Sequence, residues 1–202
     1  MRKLMAAILL FATLPLAAGG GDFLQRMHLG AEWGLSANLV DYHHFNYLDS
    51  SIGFRIDDSG WRGHYTQLGF VRLTLGCDVS RFVSICVSGS YEGISRGRRI
   101  MPVSLRAGLF PSGVHEEGIF FFSEAGTGMR RNERGVRLYQ LGSGYRIVLD
   151  ARRSLDFKLG AQVSHDRPRV WDPVEEEYIP ERNILRNNAW YYALNMAVAL
   201  EF

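Results

Sequence analysis

Two short stretches concentrate positive charge. GISRGRRI holds Arg96, Arg98 and Arg99, and MRRNERGV holds Arg130, Arg131 and Arg134, with Glu133 the only acid inside them. A guanidinium is a planar fork of N–H donors that matches two oxygens of a phosphate, so six of them close together would make an anion-binding surface. A rim of arginines paired only with water is the alternative for the same residues. A second group could move protons or hold metal: His43, His44, Asp58, Ser59 and His64 in one polar stretch, and Ser164, His165 and Asp166 in another. A serine nucleophile needs a base within hydrogen-bond reach and a third group to orient that base. Spacing alone supplies no such triad, so no catalytic residue is assigned and no enzymatic activity is expected. VWDPVEEEYIPE offers Asp172 and Glu175–Glu177 to a divalent cation but lacks the regular spacing of a calcium loop, and is expected to be a solvated acidic stretch. Neither a metal nor a cofactor is expected.

A third group is scattered along the chain: Glu32, Arg72, Arg106, Glu124, Arg146, Asp156, Lys158 and Glu201. What they share is the kind of segment that carries them. In WYYALNMAVALEF, residues 190–202, Trp190, Tyr192, Leu194, Met196, Val198, Leu200 and Phe202 fall on one face of an extended strand. Tyr191, Ala193, Asn195, Ala197, Ala199 and Glu201 fall on the other, because strand side chains alternate with period two. The unbroken pattern spans roughly 40 Å at about 3.3 Å per residue. That is long for a soluble sandwich, and more than the 9–11 or so residues a tilted strand needs to cross a bilayer.

Seven further segments alternate in the same way: MHLGAEWGLSANL, HYTQLGFVRLTLGC, FVSICVSGSY, IMPVSLRAGLF, IFFFSEAGTGM, VRLYQLGSGYRIVL and LDFKLGAQVS. Large apolar residues such as Trp33, Val71, Leu105 and Leu159 take one face; glycine, serine and all eight scattered charges take the other. Short links (Asp78–Arg81, Pro111–Gly118, Asp150–Ser154) alternate with excursions that include the long Val40–His64 and His165–Asn188. The pattern predicts an all-β fold, an eight-stranded antiparallel up-and-down transmembrane barrel. A soluble barrel would put the apolar face inside. Trp33, Tyr91, Tyr139, Tyr145, Trp190 and Tyr192, near strand ends, suit aromatic girdles at the membrane interfaces. The lumen of so small a barrel has room for side chains and little else. Four acids and four bases there are expected to pair in one network, since an unpaired buried charge is costly; a gated ion path is the sharper alternative. Cys77 and Cys86 fall on opposite faces and are expected to be free thiols.

MRKLMAAILLFATLPLAAGGG opens with Arg2 and Lys3, continues with an apolar run to Leu16 and ends in small residues. This is the pattern of a secretory signal peptide over residues 1–19, cleaved near Gly19 or Gly20, which leaves residues 20–202 as one barrel domain. Without Arg2 and Lys3 the 23 basic residues become 21, equal to the 21 acidic ones. Nothing in that balance suggests nucleic acid as a partner.

With its signal peptide, its eight alternating segments and its terminal VALEF, the chain resembles the small outer-membrane barrels of the OmpA/OmpX type. The glycine-rich style of FFFSEAGTGM followed by YQLGSGYRIVL is similar to barrel domains common in Bacteroidetes outer-membrane proteins. The resemblance is one of architecture over the whole mature chain, with no diagnostic motif. It implies an outer-membrane location in a Gram-negative bacterium, among lipid and lipopolysaccharide whose phosphates the two arginine stretches would meet. It also implies that Phe202 belongs to the signal read by the barrel-assembly machinery. The expected role is a membrane scaffold with loop-mediated contacts, possible partners including an unidentified surface or envelope protein. A narrow porin-like channel, a lipopolysaccharide-modifying enzyme and a component of a secretion or surface-assembly complex are the competing readings.

Overall fold

The computed structural model describes residues 26–49, 53–95, 98–129, 135–172 and 176–202. The expected signal peptide with Gly19 and Gly20 lies outside the described residues, as do Arg96, Arg130, Arg131 and Arg134 of the basic stretches. The alternating segments form strands β1 (Met27–Leu48), β2 (Arg55–Ser80), β3 (Val83–Ser95), β4 (Arg98–Leu109), β5 (Gly118–Met129), β6 (Val136–Val148), β7 (Ser154–Asp166) and β10 (Ile184–Glu201). Two short strands, β8 (Trp171–Asp172) and β9 (Glu177–Tyr178), pair with each other in the connection between β7 and β10. The eight long strands make one closed barrel of antiparallel neighbours in the order β1-β10-β7-β6-β5-β4-β3-β2. Closure is completed at the terminus, where Phe202 and Leu29 exchange backbone hydrogen bonds of 2.8 and 3.0 Å.

The stagger of the strands follows from the register. Stepping from Ala31 to Leu73, Gly89, Val103, Thr127, Arg137, His165 and Trp190 returns to β1 at Tyr42, eleven residues above the start. One of the eleven is Leu39, skipped by both neighbours of β1 between Asn38 and Val40. Ten residues at about 3.3 Å against eight strand spacings of about 4.8 Å set the strands at roughly 40° to the barrel axis.

Val40–His64 is a correction to the sequence expectation. It is not an excursion but a continuation of β1 and β2, which pair from Val40↔Gly63 up to Leu48↔Arg55. β10 follows β1 as far as Tyr47↔Ile184, so a three-stranded wall rises above one side of the barrel. The bulge at Leu39 is the cause of the misreading. An extra residue flips every later side chain to the opposite face. Above it Tyr42 and His44 point out while His43 and Phe45 point in, so the alternation seen below Leu39 stops matching. The connection from His165 to Asn188 is likewise shorter, since β7 runs to Asp166 and β10 begins at Ile184.

The outer surface carries the large apolar side chains: Leu29, Trp33, Leu35, Val71, Leu73, Met101, Leu105, Leu141, Leu159 and Met196 are all exposed. The inside is layered. Phe110, Phe120, Phe122 and Val114 pack together at the lower end, where the short turns are, with Phe110 and Phe120 stacked at 4.9 Å. Facing glycines make room for these rings. A Cβ on Gly142 would lie 2.5 Å from Phe122 Cζ, and one on Gly144 would lie 2.4 Å from both Phe120 Cζ and the Phe157 carbonyl oxygen. Gly144→Ala is therefore expected to lower stability by about 1–3 kcal/mol, the range for overpacking, in urea titrations followed by gel mobility of unheated samples. A smaller loss than for Gly63→Ala, where nothing lies within 4 Å, would discard the socket argument. At the upper end Ile94, Ile100, Val136, Leu138, Ala189 and Tyr191 form a second apolar layer.

The turn between β6 and β7 is fixed by Asp150, which accepts from the backbone N–H groups of Arg152 and Arg153 at 2.9 Å each and from Arg153 Nε at 2.6 Å. The Arg152 amide first, and then the Arg153 guanidinium, holds its carboxyl below the ordinary aspartate range. The stabilisation is present above the ordinary pKa and is lost as pH falls through the lowered one.

Candidate functional site

Between the two apolar layers sits the charge network. Arg106, on the inner face of β4, donates from Nε to Glu124 at 2.8 Å and from Nη1 to Glu32 at 2.8 Å. Arg72 of β2 donates from Nη1 to Glu32 at 2.8 Å and to Glu124 at 3.2 Å. Lys158 of β7 reaches Glu32 at 3.1 Å and Glu201 at 3.7 Å. Ser104 donates to the remaining oxygen of Glu124. Lower down, Arg146 of β6 holds Asp156 with two bonds of 2.7 and 2.8 Å and Glu201 at 3.2 Å. Its guanidinium also lies over the Phe110 ring at 4.5 Å. All eight scattered charges meet in the lumen, since their parity in seven different strands aims them at one axis.

Several inward groups escaped the sequence reading. Glu92, buried on β3, adds a fifth carboxylate to the network, 3.6 Å from Arg72 Nη2, and its Oε1 has no hydrogen-bond partner. Its parity with Ser88 and Ser90 was the available signal. His28 lies at the lower mouth, 3.5 Å from Asp78, Glu201 and the Cys86 thiol. Cys77 lies on the outer parity of β2, and both cysteines are free. Among the described residues no three His, Cys, Asp or Glu side chains converge to hold a metal ion. A cavity of about 20 Å³, about the space of one water, lies inside the network between Arg106, Asp156, Lys158 and Glu201 on one side and His28, Ser84 and Cys86 on the other.

The arginine rim divides. Arg99 points out, its guanidinium 5.4 Å from the centre of the Tyr91 ring. Arg98, expected beside it, turns inward and is a correction. It pairs with Asp166 at 2.7 Å and donates to the Tyr191 hydroxyl at 3.2 Å, tying β4 to β7 and β10 across the upper mouth. Neighbours on a strand take opposite faces, so the two could not serve one outer surface.

The serine, histidine and aspartate candidates are divided by the same rule. His43 faces in and meets Asp58 at 3.2 Å and Arg62 at 3.4 Å, while Ser59 sits opposite His44 on the outer face. His44 pairs with Asp57 at 2.8 Å. Ser164 and Asp166 are buried inside, and His165 between them lies on the outer face against Trp190, ring centres 4.4 Å apart.

An apolar outer wall around a buried ionic interior decides the class. The fold is that of an outer-membrane-type barrel. No family model and no curated protein matches the chain. Among solved structures it is similar to the outer membrane protease OmpT from Escherichia coli, at 7% identity over 87% of this chain and 96% of that one, with a TM-score of 0.41. It is also similar to Neisserial surface protein A, at 7% identity over 85% and 96% of the two chains, with a TM-score of 0.38. Likenesses this distant say nothing of activity.

Proposed function

We propose that this protein is an integral barrel of a Gram-negative outer membrane, exported by the leader expected over residues 1–19, and that it is a non-catalytic scaffold of the small OmpA/OmpX-like kind. The glycine-rich style shared with Bacteroidetes barrels supports the narrower placement. The carrying observation is the inverted polarity. Leucine, methionine and tryptophan cover the outside, whereas Glu32, Arg72, Arg106, Glu124 and Lys158 are shut inside. In water the arrangement would expose a continuous apolar patch, which soluble monomers rarely do; in lipid it satisfies both surfaces. The lumen is filled from the Phe110–Phe120 stack up to the Arg98–Asp166 pair, which favours a plug over a pore. Arg99, with Arg96, Arg130, Arg131 and Arg134, would meet lipopolysaccharide phosphates, and Phe202 would be read during barrel assembly.

A cysteine at Ser112, in the turn between β4 and β5, should resist a membrane-impermeant maleimide on intact cells, while one at Phe54, at the tip of the β1–β2 wall, should react. The reverse pattern would invert the orientation, and equal labelling would place the protein outside any membrane. In planar bilayers the purified barrel should give no unitary current steps. Steps abolished by blocking the lumen would overturn the plug.

A further inference from the structure

The three-stranded wall above the barrel carries an aromatic row on its outer face. Trp61 of β2, Tyr42 of β1, Trp190 of β10 and His165 of β7 are successive register partners across four neighbouring strands. The rings touch: Tyr42 and Trp61 lie 5.1 Å apart, Trp61 and Tyr192 5.6 Å, and Trp190 and His165 4.4 Å. Trp61 is 64% exposed.

An interfacial girdle does not account for this row. Girdle residues share one height, as Tyr91 and Tyr139 can at the top of the apolar wall. Trp61 stands ten residues above Val71, the register partner of Tyr91. Allowing for the bulge, at about 3.3 Å per residue and a tilt near 40° Trp61 stands roughly 20 Å above Val71, and each step from Trp61 to Tyr42, Trp190 and His165 descends by about 3 Å, so the row climbs out of the girdle and its upper end clears the hydrocarbon. Trp61, exposed and backed by the half-buried rings of Tyr42 and Tyr192, makes an aromatic surface above the apolar wall, with the Trp190–His165 pair beside and below it.

The next row up is polar and already fixed. Ser59, His44 and Asn188 are register partners; His44 is held by Asp57 at 2.8 Å, and Asn188 meets His165 at 3.2 Å. Arg186 stands two residues above Asn188 on the same face, and Arg137 is the register partner of His165. A pyranose ring has one face of C–H groups and a rim of hydroxyls, which suits a flat aromatic row bordered by fixed donors and acceptors. The flanking arginines suit a saccharide that carries phosphate or carboxylate.

We propose that this row binds the saccharide chain of the glycolipid standing beside the barrel, with sugar rings stacked on Trp61, Tyr42 and Trp190. The platform continues the lipid-facing wall upward, which sets it directly above the headgroups of the same leaflet. The proposal rests on the outer-membrane reading.

The test uses the full barrel in detergent and the oligosaccharide released from lipopolysaccharide by mild acid, without its acyl chains. Saturation-transfer NMR should mark the ring C–H protons of the sugar. The double variant Tyr42→Ala/Trp61→Ala should weaken binding by about tenfold or more in tryptophan fluorescence titrations, whereas Trp33→Ala, in the apolar wall, should leave it unchanged. No transfer in the wild type, or equal binding by the double variant, overturns the proposal. So does a double variant that retains sugar binding and instead loses a self-associated species in ultracentrifugation, since the row would then join two copies. Insertion into lipid vesicles is scored separately. A barrel that inserts but ignores the sugar refutes this proposal alone, and one that does not insert refutes the reading beneath it.

Discussion

Replacing Arg106 with methionine should cost about 3–5 kcal/mol of folding stability, because it strips a shared cation from two buried carboxylates. Glu124 would keep only Arg72 at 3.2 Å and the Ser104 hydroxyl; Glu32 would keep Arg72 and Lys158. With Glu92 also facing Arg72, the upper network would then hold three carboxylates against two cations. Truncating one partner of a buried pair leaves the other charged and unsolvated, which dominates the cost. The double variant Arg106→Met/Glu124→Gln should therefore recover most of the loss. The measurement is urea unfolding of the barrel in lipid vesicles, read by gel mobility of unheated samples. Equal losses in the single and double variants would mean that the methionine damages packing against Phe122, whose ring lies 5.0 Å from the guanidinium, and that the charge balance is irrelevant.

Leu159→Arg should cost about 2–4 kcal/mol in the same assay, the range for an arginine on the lipid face at mid-bilayer. Leu159 is exposed, sits midway along β7 and has Ser143 and Met196 as register partners. The penalty should fall with height. Trp61→Arg, on the outer face of the wall far above, should be nearly neutral for folding, because near and beyond the interface the penalty falls to about 0–1 kcal/mol. Similar penalties at both sites would mean that the belt does not sit in hydrocarbon, and the membrane reading would fail with it.

The parts of this molecule legible in the sequence were those where period two ran unbroken. β10 alternates from Trp190 to Phe202 without interruption, and its faces are as expected, with Asn195 and Ala199 buried and Leu194 and Met196 exposed. Parity alone therefore sufficed to gather charges from seven strands onto one axis. It failed where one residue breaks it. Leu39 shifts the frame, and nothing in SANLVDYHH separates a bulge from the end of a strand, so the upper third of β1 and β2 was invisible. It also failed where a strand starts earlier than its alternation suggests. Arg98 is the first residue of β4, and only that boundary decides that it faces in and Arg99 out. Which charge pairs with which was never legible, because the contacts run across the barrel and depend on the stagger.

The raised wall formed by β1, β2 and β10 has a consequence for how the molecule meets its surroundings. The strands β3 to β6 end near the top of the apolar belt, so the barrel is tall on one flank and low on the other. A cylinder with an even rim could be approached from any azimuth, and spinning about the membrane normal would change nothing. This one has a front and a back. The outer face of the tall flank looks along a single bearing, so turning the barrel about its axis changes what the wall presents to any given neighbour.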